Sequence, residues 1–259
     1  MESELRKAVK EGLLDVHFLP QVDLQRGEVI GLEALARWNH PQRGILPAAE
    51  FIPVAEQSDL VVSVGGFVLE EALRLAVRWR HETASDLHVT VNVSARQITG
   101  PELPGMVAEA LVRFDMPAEA LCLEMTESAL MEDPESALEA LRDLKDLGVS
   151  LSSDEVGLGT SALGAMRRVP QQDVLKIGPT MVARMGEGEE EKELVSALIG
   201  MARALEMTAI AEGVETADQE QMLRSLGADA AQGFYIGRPL PADRVEELLA
   251  AASASAAQG

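Results

Sequence analysis

Along this chain of 259 residues, seven short apolar runs each end on a side chain that can hold a metal ion or handle a proton. The runs VIGLEALARW, LHVTVNVSARQ, LCLEMTES, VSLSSDE, DVLKIG, TAIAEGVET and AAQGFYIG deliver Glu33, Asn92, Glu124, Asp154, Lys176, Glu212 and Gln232. Taken singly, each has a plainer use. Asp154 could cap a helix starting near Ser161, Lys176 could pair with a neighbouring carboxylate, Asn92 could serve a turn, and Gln232 could satisfy loop amides. Recurrence at successive run ends is what gives the set weight. Four carboxylates gathered at one rim repel each other strongly without cations. The set therefore implies a divalent metal site with oxygen ligands, suited to Mg²⁺ or Mn²⁺ rather than to zinc.

Only a regular scaffold can bring residues so far apart in sequence to one place. A β-run followed by a helical stretch, repeated with polar ends at one rim, describes an α/β fold, a TIM-like (β/α)8 barrel with its site at the C-terminal face of the strands. Strands are expected at His17–Val22, Val29–Ala36, Leu87–Val93, Ala120–Met125, Val149–Ser153, Asp173–Ile177, Met207–Ala211 and Ala230–Gln232. Helical spacing marks Val68–Arg80, Pro134–Leu147, Leu194–Leu205, Asp218–Leu226 and Ala242–Ala250. Asp133-Pro134 suits a helix start, and Gly148 and Gly227 suit C-terminal caps. The Gln25-Arg26-Gly27 turn makes the first two strands an antiparallel pair near the N-terminus, with the rest parallel. The expected organisation is a single barrel over residues 1–250 and a flexible Ala/Ser-rich tail over 251–259.

Composition narrows the setting. Charged residues at 25% and hydrophobic residues at 47% suit a globular domain with a substantial core. No apolar stretch reaches the roughly 18 to 20 residues that span a bilayer. The start lacks a signal-peptide core, and the lone cysteine, Cys122, cannot form an internal disulfide. A cytoplasmic location is expected. The net charge of −21 argues against a nucleic-acid polymer as partner, since such binders carry a basic footprint. A small phosphorylated ligand remains compatible, held by arginines or by cations that the carboxylates recruit. His17, His40, His81 and His88 show no metal-ligand spacing; His40 is expected to brace its loop, and Trp38 and Trp79 to pack.

Glu33-Ala34-Leu35 followed by Ala36-Arg37-Trp38 resembles the name-giving motif of the EAL domain, the cyclic di-GMP phosphodiesterase family. The resemblance runs through PQVDL at Pro20–Leu24, HPQRG at His40–Gly44, EFIPVAE at Glu50–Glu56 and VNVSARQ at Val91–Gln97. It continues through LEMTESALM at Leu123–Met131, LKI at Leu175–Ile177, AEGVET at Ala211–Thr216 and QGFYIGRPLP at Gln232–Pro241. This many motifs in order cover nearly the whole chain.

The resemblance implies roles by position. The residues matching Glu33, Asn92, Glu124 and Asp154 bind one Mg²⁺ or Mn²⁺. The position of Glu155 bridges to or binds a second cation. Lys176 matches the residue that holds the attacking water, Glu212 one linked to the second metal or acting as base, and Gln232 one beside the same cluster. Arg37 matches an arginine that grips a ligand phosphate, and Leu35 a backbone contact next to it. The implied reaction is metal-dependent hydrolysis of cyclic di-GMP to linear pGpG. Members of the family often follow a GGDEF or sensory domain in a longer parent protein, and SELRKAVKEG at Ser3–Gly12 resembles the entering helix. Members also often form a homodimer through the strand-five region.

Several positions depart from the family pattern. Leu19 stands where a glutamine contacts ligand. DEVGLGTSAL at Asp154–Leu163 replaces DDFGTGYSSL, so Glu155 stands for an aspartate, and Val156 and Thr160 for aromatic residues. Gly178 replaces the aspartate of LKID, Ala48 stands where proline is usual, and one extra residue lies between Pro170 and Asp173. One added methylene at Glu155 matters because metal–ligand distances are held within about 0.2 Å. The expectation is hydrolysis slowed by the altered strand-five loop. The alternatives are a catalytically silent cyclic di-GMP receptor and, less favoured, a protein-interaction module.

Overall fold

Apolar residues recur at every second position of the central strands, and that period decides which face meets the helices. In the computed structural model, Val89 and Val91, with Leu121, Leu123 and Met125, join one apolar cluster with the flanking helices. Thr90, Cys122 and Glu124 take the alternate positions, on the opposite face of their strands. The structure describes residues 1–83, 85–126, 133–154 and 172–256, without the side chains of 154 and 253–256.

The strands are β1 Leu14–Asp23, β2 Val29–His40, β3 Gly44–Pro47, β4 His88–Asn92, β5 Leu121–Thr126, β6 Ser150–Asp154, β7 Val174–Ile177, β8 Thr208–Ala211 and β9 Ala230–Ala231. They form one sheet in the order β1-β9-β8-β7-β6-β5-β4-β2-β3, and pairing of β1 with β2 closes eight of them into a barrel. β3 is the extra strand, a short hairpin partner of β2 outside the barrel. The expected antiparallel first pair is present, with Glu33 opposite Leu19 and Gly31 opposite Gln21. Because β1 runs against the others, its contact with β9 is antiparallel too, which corrects the expectation that all remaining pairs are parallel. Pairs from β2–β4 through β8–β9 are parallel, so their C-terminal ends share one rim.

Every helical stretch expected from spacing is present, with longer bounds in places: Val68–Arg80 lies inside Leu60–Thr83, and Leu194–Leu205 overlaps Glu189–Ala204. The closing helix runs Ala242–Ala256, into the stretch expected as a tail, where alanine supplies strong helix propensity. Helices Ala48–Glu56 and Leu103–Phe114 escape the pattern because each contains a proline, inside the first and in the opening turn of the second. Gly227 takes a left-handed φ of 84° as the C-cap of Ala217–Leu226, and Asp133 caps Pro134–Asp146 by accepting from the Ser136 N–H. His40 Nδ1 accepts from the Gln42 and Arg43 N–H groups, bracing the β2–β3 turn. Trp79 packs edge-on against Phe18, and Trp38 against Phe51; all are buried. No helix among the described residues is long and apolar enough to cross a membrane.

Candidate active site

The parallel registers bring the run-end residues level with one another. Asn92 ends β4 opposite Glu124 on β5, and Thr126 faces Asp154 across β5 and β6. Glu212 follows β8, its N–H donating to the Ile177 carbonyl at 2.9 Å, and Gln232 follows β9, its N–H donating to the Ala211 carbonyl at 2.8 Å. Side chains on the inward positions of these strands must meet above the barrel interior.

They meet around one ammonium. Lys176 Nζ, buried to 1% exposure, forms ion pairs with Glu33 Oε2 at 3.3 Å, with Glu212 Oε1 at 2.9 Å and with Glu124. Gln232 Nε2 donates to Glu33 Oε2 at 2.6 Å and to Glu212 Oε1 at 2.7 Å, and Asn92 Nδ2 donates to Glu33 Oε1 at 2.9 Å. Six of the seven run-end residues therefore form one connected cluster. The side chain of Asp154 and the whole of Glu155 lie outside the described residues, as do Val156, Thr160 and the extra residue before Gln172.

Electrostatics follow from the crowding. Burial pushes the Glu124 carboxyl well above the usual carboxylate range despite Lys176, with Glu33 and Glu212 adding to the rise. Burial acts on Glu33 in the same sense, but Lys176 and the Asn92 and Gln232 amides outweigh it and hold Glu33 below its ordinary value. Burial also opposes the Lys176 charge, yet Glu124, Glu33 and Glu212 keep it well above the usual lysine value. Three carboxylates against one ammonium leave a buried excess of negative charge, which hard divalent cations are suited to balance. Among the described residues, no three carboxylate, imidazole or thiolate groups share a point at metal-bonding distance. Instead the oxygens gather on Lys176. The donor set fits a divalent cation in type and charge, with Glu33, Asn92 and Glu124 as oxygen donors on adjacent strands.

Beside the cluster lies a cavity of about 580 Å³ whose lining includes Glu33, Leu35, Ile52, Pro53, Asn92 and Arg96. Its lining mixes acidic and amide side chains with apolar ones, a combination that suits a polar ligand with a flat hydrophobic part. Leu35 and Ala48 both contribute to this lining. Arg37 is two steps further along β2 than Leu35, half-buried, with Nη1 donating to the Ala36 carbonyl at 2.9 Å. Period two places it on the same strand face as Glu33, but it is not part of the cavity lining. Gly178, where the family has aspartate, begins the helix Pro179–Arg184 without a side-chain cap.

Gly233 holds the last of these residues in place. With φ at 150°, it lets the chain after Gln232 pass so close to Val214 that an added Cβ would stand 2.2 Å from the Val214 nitrogen. The contact joins the loops carrying Gln232 and Glu212: the Val214 N–H donates to the Gln232 carbonyl at 3.1 Å. One residue missed in the sequence also joins the network. Gln21, buried on β1, donates from Nε2 to Gln232 Oε1 at 2.9 Å. Period two from Leu19, opposite Glu33, would have placed it on the inner face.

A closed barrel with a carboxylate-rich cluster and an adjoining cavity at its C-terminal rim is the architecture of (β/α)8 enzymes. The chain belongs to the EAL domain family, whose model matches residues 2–239. It is 38% identical over 242 residues to the bifunctional diguanylate cyclase/cyclic di-GMP phosphodiesterase MucR of Pseudomonas aeruginosa, covering 93% of this chain and 35% of the relative. To the cyclic di-GMP phosphodiesterase PdeR of Escherichia coli it is 35% identical over 242 residues, covering 93% of this chain and 36% of the relative. The chain thus spans about a third of the length of these relatives. Among solved structures, the MucR phosphodiesterase in complex with c-di-GMP superposes with a TM-score of 0.88 at 37% identity, covering 94% of this chain and 98% of that one.

Proposed function

We propose that this chain hydrolyses one phosphodiester bond of cyclic di-GMP, releasing linear pGpG, with Mg²⁺ or Mn²⁺ as cofactor. The observation that carries the reading is the convergence of Glu33, Asn92, Glu124, Lys176, Glu212 and Gln232 on one buried point beside a ligand-sized cavity. Phosphodiesterases of this family are divalent-metal dependent. Glu33, Asn92, Glu124 and Asp154 would hold the first cation, and Glu155 with Glu212 a second. Bound cations neutralise the phosphodiester and acidify water.

The chain's own groups do the rest. In this reading the Lys176 ammonium orients the attacking water, and Glu212, paired with that ammonium at 2.9 Å, takes the proton. Gln232 fixes the directions of the Glu33 and Glu212 carboxylates. Arg37 offers a planar fork to a ligand phosphate. The cavity beside Leu35 takes one nucleoside and excludes water from that side. Incubation with cyclic di-GMP and Mn²⁺ or Mg²⁺ should give pGpG, and chelation should stop it. A homodimer and a GGDEF or sensory domain in a parent protein belong to the same reading, as does the cytoplasmic setting of a second-messenger enzyme.

A second reading, a receptor that binds without cleaving, is favoured by Leu19 facing Glu33 across the β1–β2 pair and by Glu155. Calorimetry in Ca²⁺ separates the two: micromolar binding combined with no turnover in Mn²⁺ supports the receptor. Glu155→Asp restores the family side chain and is expected to raise kcat several-fold. An unchanged or lower kcat means that the glutamate is already accommodated.

A further inference from the structure

We infer that Gln21 is a positioning residue for this centre, acting through the amide of Gln232 on the carboxylates of Glu33 and Glu212. The inference rests on the metal-dependent phosphodiesterase reading and extends it to a side chain that touches neither substrate nor cation.

Three observations carry it. Gln21 is buried to 4% exposure on β1, and its Nε2 donates to Gln232 Oε1 at 2.9 Å, 211 residues away in the chain. That bond satisfies the oxygen of the Gln232 amide, so its nitrogen is the end presented to Glu33 Oε2 at 2.6 Å and Glu212 Oε1 at 2.7 Å. The two carboxylates come from opposite ends of the sequence, and this amide is their shared donor besides Lys176. The third observation is the space made for Gln21. Its cross-strand partner is Gly31, where an added Cβ would stand 2.6 Å from Gln21 Oε1. Glycine at that position leaves the Gln21 amide in the only room its rotamer uses, so the hydrogen bond depends on two residues on neighbouring strands.

The physical reason is geometric. A carboxylate that must hold a cation has to present its oxygens within a few tenths of an ångström, and the hydrogen bonds behind it set that direction. Without Gln21, the Gln232 oxygen is a buried acceptor with no partner, and the amide can rotate toward another arrangement. Both carboxylates then lose a fixed donor together. The sequence pattern hid this role because Gln21 sits inside PQVDL, two residues after Leu19, the departure that draws notice there.

The test is a pair of variants and their combination. Gln21→Met keeps length and apolar packing but removes the donor, while Gly31→Ala leaves Gln21 intact and displaces its amide. Each is expected to weaken Mn²⁺ binding in calorimetry about tenfold and to lower kcat about tenfold, at the lower end for groups that orient metal ligands. KM for cyclic di-GMP should stay within about twofold, a split that a merely structural defect would not produce. The double variant is expected to be no worse than Gln21→Met alone, because both act through one hydrogen bond. Should Gln21→Met fail to fold, Gly31→Ala carries the same readouts. Wild-type Mn²⁺ affinity and kcat in either folded variant, or additive losses in the double variant, would overturn the inference while leaving the phosphodiesterase reading in place. A wild-type chain that neither binds Mn²⁺ nor turns over would overturn both.

Discussion

Glu33→Ala is expected to remove metal-dependent turnover, by about 10³-fold or more, the upper end of what one preorganised electrostatic group supplies. Glu33 has three polar partners in the centre. It accepts from Asn92 at 2.9 Å and from Gln232 at 2.6 Å, and pairs with Lys176 at 3.3 Å. Alanine takes from the Asn92 amide its Glu33 acceptor and leaves Lys176 and Gln232 to Glu212 and Glu124. The Asn92 amide then loses its Glu33 anchor on β2, and the proposed first cation would lose a ligand at the same time. A steady-state assay across Mn²⁺ concentrations reads the effect. Loss of kcat that high Mn²⁺ fully restores would mean that Glu33 only tunes affinity.

Lys176→Met should act on the fold as well as on the reaction. The ammonium is buried to 1% and pairs with three carboxylates, of which Glu33 and Glu124 are themselves buried. Removing one partner of a buried ionic group leaves uncompensated charge, which typically costs about 3–5 kcal/mol. In chelator, denaturant unfolding of Lys176→Met should therefore show a loss of that order. Added Mn²⁺ should recover part of it, because a divalent cation supplies the missing positive charge and binds only the folded state. A variant as stable as wild type in chelator would show that the carboxylates relax by protonation, the route open to Glu124. Turnover should fall in either case, since the group proposed to orient water is gone.

The strand ends were legible because two signals coincide there. Alternation put Thr90 and Asn92, or Cys122 and Glu124, on one face, and the polar residue closed each run at the rim. Lys176 illustrates how a plain reading and a functional one merge: the expected pairing with a neighbouring carboxylate is present three times over, at the centre of the site. What the sequence hid depends on contacts between distant segments. β3 is too short for any period to reveal, and Gly44–Pro47 pairs with β2 across a turn that the His40 side chain braces. Gln21 gains its role from Gly31 across the hairpin and from Gln232, which is 211 residues away. The helix Leu103–Phe114 was concealed by Pro104 and Gly105, residues that an opening helical turn tolerates. Asp154 reaches the rim through its backbone pairing with Thr126, while Glu155 stays a matter of sequence and of its aspartate variant.

On the proposed reading, the departures from the family pattern should bear on rate more than on assembly. Leu19 faces Glu33 across the strand pair without a polar atom, and Gly178 starts its helix without a cap. Neither change touches the hydrogen bonds that join Glu33, Asn92, Lys176, Glu212 and Gln232. A centre with those bonds intact should retain chemistry, and the altered loop after Asp154 should set its speed.

The most direct measurement is a single-turnover assay with the protein in excess over cyclic di-GMP, in Mn²⁺ and in chelator, with nucleotides separated by chromatography. Conversion to linear pGpG in Mn²⁺, absent in chelator and absent in Glu33→Ala, is the expected result. Cyclic di-GMP recovered intact after prolonged incubation of the folded wild-type protein with Mn²⁺ would contradict the account.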